Sequence, residues 1–342
     1  MKKILLAAAL AALFCCNAFA QPVYRFTVKV GIDCESVDSL GGEDNVRRQI
    51  ARMFEKVNRA FNYTRQFDAV YDFVVDWDAF YIYDGVSTDE VHKPHPNHDY
   101  LVVIDGYKSD PREAGGGWYG ANILTVYHSR IHNDHFNDPF EPGAIDGIIH
   151  EFGHGRGMPD IYAMTVRAEN NPIAPIGCMG TKCIMDYPYG ETLWSEYAVN
   201  MINLSADKMV DIDRLVQAMC PDYLSFNVVD PDGKPVNGAQ LTFYPVGWYS
   251  YSVSPEPVYT AKTDLDGSRT IKAEKIFPKT RSFGLKYSNM FVKAEYDGMV
   301  AYGWLPLYEI QNVVFDGKDT YELNLSLKGK TPSDPFKFVV KQ

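Results

Sequence analysis

Between residues 150 and 160 the chain reads His150-Glu151-Phe152-Gly153-His154-Gly155-Arg156-Gly157-Met158-Pro159-Asp160. These side chains are spaced for metal chemistry. On a helix, His150 and His154 project from one face a turn apart, where both imidazoles can reach one ion. Glu151 stands beside them, placed to act as a base on a water at that ion. Gly157 tolerates positive φ, so it can end the helix and turn the chain back. Asp160 then arrives with a carboxylate as third ligand. Two histidines, one carboxylate and an open fourth position describe a catalytic zinc site rather than a structural one. Asp186, Glu191 and Glu196 are rival third ligands, and the placement of Gly157 ahead of Asp160 favours Asp160. Two further stretches are rich in histidine: His92, His95 and His98, and His128, His132 and His135 with Asp134 and Asp138. Solvated loop histidines are the favoured reading of both.

A metal helix needs a sheet to lie on, and the preceding residues supply one. Tyr24, Phe26, Val28, Val30 and Ile32 alternate with polar or small residues, the period of a half-buried strand. Val46, Ile50, Met53, Phe54, Val57 and Phe61 recur at helical spacing, which predicts an amphipathic helix from about Glu43 to Asn62. Tyr71–Tyr83 reads as a strand or hairpin arm. Leu101–Ile104 is a short apolar run, as in a strand covered on both faces. Gly115–Gly117 reads as a flexible turn, and Asn122–Tyr127 as a strand ahead of the metal helix. Pro142 and Gly143 open that helix. Ile145, Ile148, Ile149 and Phe152 are expected to pack it on the sheet.

A long loop follows Asp160, and helices are expected near Glu191–Ile202 and Ala206–Met219. Beyond Leu224 the texture changes to short strands and turns, which predicts an all-β module, most simply a sandwich. Its turns Asp230-Pro231-Asp232-Gly233 and Asp264-Leu265-Asp266-Gly267 lack the downstream glutamate of a calcium loop. Turn chemistry is favoured there, with a structural Ca2+ as the alternative.

The opening residues read as a targeting segment. Lys2 and Lys3 precede the apolar run Ile4–Phe14, which is too short to span a bilayer, and Ala18-Phe19-Ala20 fits a cleavage site. Export, with the mature chain starting at Gln21, places Cys34, Cys178, Cys183 and Cys220 in an oxidising compartment. Cys178 with Cys183, and Cys34 with Cys220, is one pairing to consider beside four free thiols. No later apolar run is long enough for a membrane helix. The net charge is −11, and loss of Lys2 and Lys3 makes it −13, which argues against a nucleic-acid partner.

The stretch His150–Asp160 resembles the zinc signature of the metzincin metallopeptidases, in the form ending in aspartate that snapalysin-like bacterial endopeptidases use. Cys183-Ile184-Met185-Asp186-Tyr187 looks like the methionine turn of that clan. The resemblance covers about Tyr24–Cys220 as a pattern of elements. It implies one catalytic Zn2+ held by His150, His154 and Asp160, with Glu151 as general base and later proton donor. It makes Met185 the apolar floor under the metal and gives Tyr187, by analogy, the role of steadying the oxyanion. The expected fold is α+β: residues 21–221 form a metzincin-like catalytic domain, and residues 222–342 an immunoglobulin-like β-sandwich that the small snapalysin-like enzymes lack. The implied function is a secreted zinc endopeptidase acting on a protein or peptide. A metzincin edge strand near Asn122–Tyr127 would pair with extended substrate. The alternative is a non-catalytic surface or adhesion protein, with a relic peptidase domain and a ligand-binding sandwich.

Overall fold

The computed structural model describes residues 21–85, 87–105, 116–118, 123–127, 139–178, 180–186, 193–247, 250–281 and 284–328. The expected targeting segment, Tyr187, Glu191, His128, His132 and His135 lie outside them. The protein is α+β. Strand β1 (Val23–Asp33) is followed by the short helix α1 (Cys34–Ser39) and the long helix α2 (Glu43–Asn62). Strands β2 (Val70–Val75) and β3 (Tyr81–Tyr83) come next, then the short helix α3 (Ser87–Glu90) and β4 (Tyr100–Asp105). Strands β5 (Gly116–Trp118) and β6 (Ile123–Tyr127) complete a sheet ordered β2-β1-β4-β6-β5, with β3 also paired to β1. Every pairing in it is parallel except β5 with β6.

The apolar patterns explain this sheet. Phe26, Val28, Val30 and Ile32 are at most 2% exposed and line one face of β1. In β4, Tyr100, Val102 and Ile104 join the main core, while Leu101 and Val103 face a second cluster with Tyr83, Val91 and Ile123. Burial on both faces is what its unbroken apolar run predicts. Helix α2 buries Val46, Ile50, Met53, Phe54, Val57 and Phe61, the expected stripe. Its Asn58 and Asn62 also close the outer edge of β2. Each amide donates to a strand carbonyl, Phe73 at 3.0 Å and Tyr71 at 2.7 Å, and accepts from the N–H of the same residue. Side chains thus stand in for a missing neighbour strand.

Three expectations are corrected here. Tyr71–Tyr83 is no hairpin: β2 and β3 both run parallel to β1, so the chain crosses over between pairings. Gly116 and Gly117 belong to strand β5 rather than a turn, because glycines without side chains carry no period to read. Consequently β6, which spans most of the expected substrate strand, is internal, and among the described residues β5 is the edge.

Helix α4 (Pro142–Gly155), which carries His150 and His154, lies on the sheet beside α2. Phe152 is fully buried, with ring centroids 4.5 Å from Phe73, 5.0 Å from Tyr100 and 5.8 Å from Phe54. The next helices, α5 (Glu196–Ser205) and α6 (Ile212–Ala218), start later than expected. Ser195 and Asp211 fix these starts by accepting the N–H groups of Ala198 and Arg214.

The C-terminal residues form two sheets: β10-β7-β13 (Ser268–Lys272, Tyr223–Val229, Thr320–Ser326) and β12-β11-β8-β9 (Met299–Pro306, Asn289–Tyr296, Gln240–Pro245, Tyr259–Lys262). The region is not all-β. Helix α7 (Leu307–Phe315) interrupts it and buries Leu307, Tyr308, Ile310 and Gln311. Its aromatic and β-branched residues read as strand, and packing against α5 overrides that preference. The aspartates of the two turns are engaged by local donors. Asp230 Oδ1 accepts from Asp232 and Lys234 N–H, and Asp266 Oδ1 from Ser268 N–H and Oγ. That is turn chemistry.

One hydrophobic core runs from Phe26 through to Leu327. A second cluster joins Val166, Ala174, Ile176 and Cys178, from the loop after Asp160, to Val246, Val253, Phe291 and Trp304. Between the two parts, Tyr197 Oη donates to Gln311 Oε1 at 2.5 Å, and Gln311 Nε2 donates to the Val216 carbonyl at 2.7 Å. Neither side chain is more than 1% exposed. Cys34, Cys178, Cys183 and Cys220 are free thiols. Cys178 and Cys183 point into different clusters, which is why they do not pair. Burial pushes the Cys178 thiol up to about 12.

Two outcomes are expected from this packing. Alkylation of the unfolded, unreduced protein of residues 21–342 should modify all four cysteines, and a protected pair detected by mass would contradict the thiol assignment. Gln311→Leu strands a buried hydroxyl and a buried carbonyl, so it should lose about 1–3 kcal/mol while unfolding stays one transition. Calorimetry showing two transitions, or no loss, contradicts the coupling of the two parts.

Candidate metal centre

Helix α4 ends in a way that its glycines dictate. Gly157 has φ 88°. Its N–H donates to the His154 carbonyl at 2.9 Å, and the Met158 N–H donates to the Gly153 carbonyl at 3.0 Å. This pair of bonds is a Schellman turn with glycine at the left-handed position. It reverses the chain, buries Met158 completely, and returns Asp160 toward the helix it has just left.

Arg156 locks that reversal. It is fully buried, and its donors go to carbonyls: Gly155 at 2.9 Å, Ala206 at 3.2 Å and Lys208 at 2.7 Å. The guanidinium lies 4.3 Å from the centre of the Phe26 ring. Sequence reading passed over Arg156, because an arginine between two glycines reads as an exposed loop residue.

The reversal brings His150, His154 and Asp160 together, with one ligand atom of each within 4.8 Å of the others. Asp160 Oδ1 lies 3.1 Å from His150 Nε2 and 3.4 Å from His154 Nε2. The histidines are oriented from behind. His150 Nδ1 is 2.9 Å from the Ile184 carbonyl, and His154 Nδ1 is 2.7 Å from the Met158 carbonyl. A carbonyl only accepts, so each Nδ1 carries a proton, and a neutral ring then turns its Nε2 lone pair toward Asp160. With both rings neutral three acceptors face one another, and Asp160 Oδ1 is buried without a geometrically good hydrogen bond among the described residues. Such an arrangement calls for a cation.

Without a metal, a proton on His154 meets that demand. Burial works against a charge on His154, but the Asp160 carboxylate more than offsets it and lifts the imidazole to about 9. Burial alone would raise the Asp160 carboxyl, and the two imidazoles outweigh it, holding the group well below the usual carboxylate range. Both shifts express a demand for positive charge at this point. Two imidazole nitrogens and a carboxylate oxygen suit a divalent metal such as zinc.

Glu151 is 5% exposed, and its Oε2 has no hydrogen-bond partner among the described residues. Burial pushes its carboxyl up, against the lowering pull of His154 and His150. An acceptor kept dry beside a metal position is suited to taking a proton.

The expected methionine turn lies behind the histidines. The Ile184 carbonyl orients His150, and the Met185 carbonyl accepts the Ile161 N–H at 3.1 Å. Met185 is fully buried, and its Sδ packs at Gly153, where an added Cβ would lie 2.5 Å away. The rival acid Asp186 accepts from Thr165 Oγ1 at 3.3 Å and lies outside the three-ligand group. His98 pairs with Asp76 at 2.9 Å, also away from the site. Tyr162 was not anticipated. Its hydroxyl donates to His150 Nε2 at 3.0 Å, and its ring stacks on that imidazole at 5.6 Å and 20°. Its only sequence signal is its place two residues after Asp160.

No family model and no curated protein matches the chain. Among solved structures, the shaft pilin SpaA from Lactobacillus rhamnosus GG is 15% identical, over 32% of this chain and 50% of the pilin chain, with a TM-score of 0.22. This chain thus spans about half the length of the pilin it matches. Acinetobacter radioresistens catechol 1,2 dioxygenase is 12% identical, over 37% and 58%, with a TM-score of 0.20. OgpA from Akkermansia muciniphila is 12% identical, over 84% and 90%, with a TM-score of 0.33. These scores carry no argument about fold or function, and the chemistry of the site rests on its own geometry.

Gly153 supplies a test of that geometry. Gly153→Ala would place a methyl 3.1–3.2 Å from the Trp194 ring as well as against Met185. The expected loss is about 1–3 kcal/mol by thermal unfolding, with weaker metal binding because the displaced turn carries the Ile184 carbonyl. Unchanged stability contradicts the close packing of helix and turn.

Proposed function

We propose that the chain is a secreted zinc-dependent endopeptidase of the metzincin type. The observation that carries the reading is the convergence of three lone-pair donors, His150 Nε2, His154 Nε2 and Asp160 Oδ1, beside the dry carboxyl of Glu151. A catalytic zinc site needs such a three-ligand set with a base at hand. The parallel sheet with one antiparallel edge strand, the metal helix and the buried Met185 turn support the finer reading of the fold. The two C-terminal sheets support an appended sandwich.

His150, His154 and Asp160 would hold the ion, with the Ile184 and Met158 carbonyls fixing the two rings. Zinc in such a site supplies Lewis acidity and brings the pKa of water toward neutrality. Glu151 takes the proton of the attacking water and returns it to the leaving amine. Its burial raises its proton affinity, which suits a group that must both take and give. Substrate binds as an extended strand on the edge strand β5, which packs against the metal helix. The opposite edge, β2, is already closed by Asn58 and Asn62. The acidic chain points to a protein or peptide rather than a nucleic acid.

Metal analysis with casein or gelatin hydrolysis on residues 21–342 tests the reading. One zinc per chain is expected, and Glu151→Ala should keep it while losing about 10²- to 10⁴-fold in rate. Asp160→Ala should lower zinc affinity sharply. Absence of zinc under metal-replete conditions would sink the proposal, and zinc without peptide cleavage would favour a non-catalytic binding protein.

A further inference from the structure

We infer that the trench between α2 and α4 binds a medium-chain fatty carboxylate, with its tail on an apolar floor and its head at Lys56 and Arg59. The inference goes beyond the peptidase reading and stands without it, because His150, His154 and Asp160 do not line the trench. The trench has a volume of about 380 Å³, and its lining consists of described residues. That volume is within the range of small-molecule sites.

The two helices leave this space for a local reason. Ile145 and Ile149 stand a turn apart on α4, and Ala60, on α2, is too small to fill the space beside them. Side chains at Ile149 and His150 point about 100° apart around the helix, so the row that lines the trench is not the row that carries the metal ligands. From Pro142 to Ile149 the floor runs about 10 Å along α4. Trp194 forms a fixed wall. Its Nε1 donates to the Ala60 carbonyl at 3.0 Å, and its ring centroid lies 4.7 Å from that of Phe61. The wall is set before a ligand arrives, so the ligand does not have to order it. Two apolar lining side chains remain open to solvent, Tyr63 at 73% and Leu193 at 39% exposure.

Charge decides the head group. Lys56 and Arg59 lie one turn apart on α2, and both are exposed. Neither makes an ion pair among the described residues, and the Arg59 guanidinium stands 5.2 Å from the centre of the Tyr63 ring. Asp146 is the one acid on the lining against these two cations. The chain as a whole carries −11, so this positive lining runs against the charge of the molecule. An elongated apolar tail with one anionic head matches both the floor and the rim. A large acidic partner would meet the same rim but be repelled by the rest of the surface.

The test is calorimetric titration of residues 21–342 with decanoate below its micelle concentration, and then with octanoate and decanol. One equivalent of decanoate should bind. Octanoate, shorter by two methylenes, should bind about 10-fold more weakly. Decanol keeps the tail without the charge and should bind about threefold more weakly or worse. The double variant Lys56→Glu with Arg59→Glu changes two exposed side chains, so its unfolding temperature should stay that of wild type. It should bind decanoate about 10-fold more weakly, with decanol little affected. Decanoate binding should survive removal of metal by a chelator. Absence of saturable binding overturns the inference, as does binding indifferent to tail length or to the double substitution. Binding that is lost with the metal places the carboxylate at the metal centre and overturns it too. A dimer in sedimentation that the double substitution dissociates gives the trench to a second copy of the chain, with the same consequence.

Discussion

Three acceptors held face to face form the constraint on which this site depends. His150, His154 and Asp160 meet at 3.1–3.4 Å, and the ring protons of both histidines are already committed to backbone carbonyls behind them. Lone pairs at that distance repel unless a positive charge lies among them. The protein sustains the arrangement by rigidity. Two imidazoles one helical turn apart are fixed by α4, and the carboxylate is fixed by the turn that follows it. The raised pKa of His154 and the lowered pKa of Asp160 are two views of this single electrostatic demand.

That rigidity is built from several kinds of interaction. Backbone conformation supplies the reversal, through the positive φ of Gly157. A buried cation supplies the lock: Arg156 gathers the carbonyls of Gly155, Ala206 and Lys208 and so ties α4 to the segment between α5 and α6. Close packing supplies the floor, since Gly153 lets Met185 and Trp194 approach the helix more closely than any side chain would allow. The same turn presents the Ile184 and Met185 carbonyls to His150 and Ile161. One short loop thereby holds one ligand directly and the approach to another indirectly.

The C-terminal residues take part in this architecture rather than trailing from it. The loop after Asp160 packs through Val166, Ile176 and Cys178 against Val253, Phe291 and Trp304, and the Val253 N–H donates to the Asn170 carbonyl at 2.9 Å. A loop that would otherwise face solvent on both sides is thus backed by a β-sheet. On the far side, Tyr197 and Gln311 join α5 to α7 through buried polar groups, whose desolvation is offset only while both are in place.

Much of this was legible in residue order alone. The stripe of α2, the alternation of β1, the two-sided burial of β4 and the spacing of His150 and His154 on one helix, with Glu151 between them, follow from local periodicity, and the structure repeats them. Asp160 was legible because Gly157 is a local signal for a reversal. What sequence missed is long-range. Nothing near Gly116 and Gly117 tells that they form the sheet edge, and nothing local makes β3 pair with β1 rather than β2. The helical state of Leu307–Phe315 is set by the surface it covers, and the free state of the four cysteines by the clusters they enter. Tyr162 joined the site for the same reason. Its type and position were visible, but its contact with His150 exists only once Gly157, Arg156 and the Met185 turn have folded the chain back. The sequence by itself determined which groups can converge, His150, His154 and Asp160, because their spacing is a property of one helix and one turn. Only the tertiary structure decided their partners, because those come from elements that chain order does not bring together.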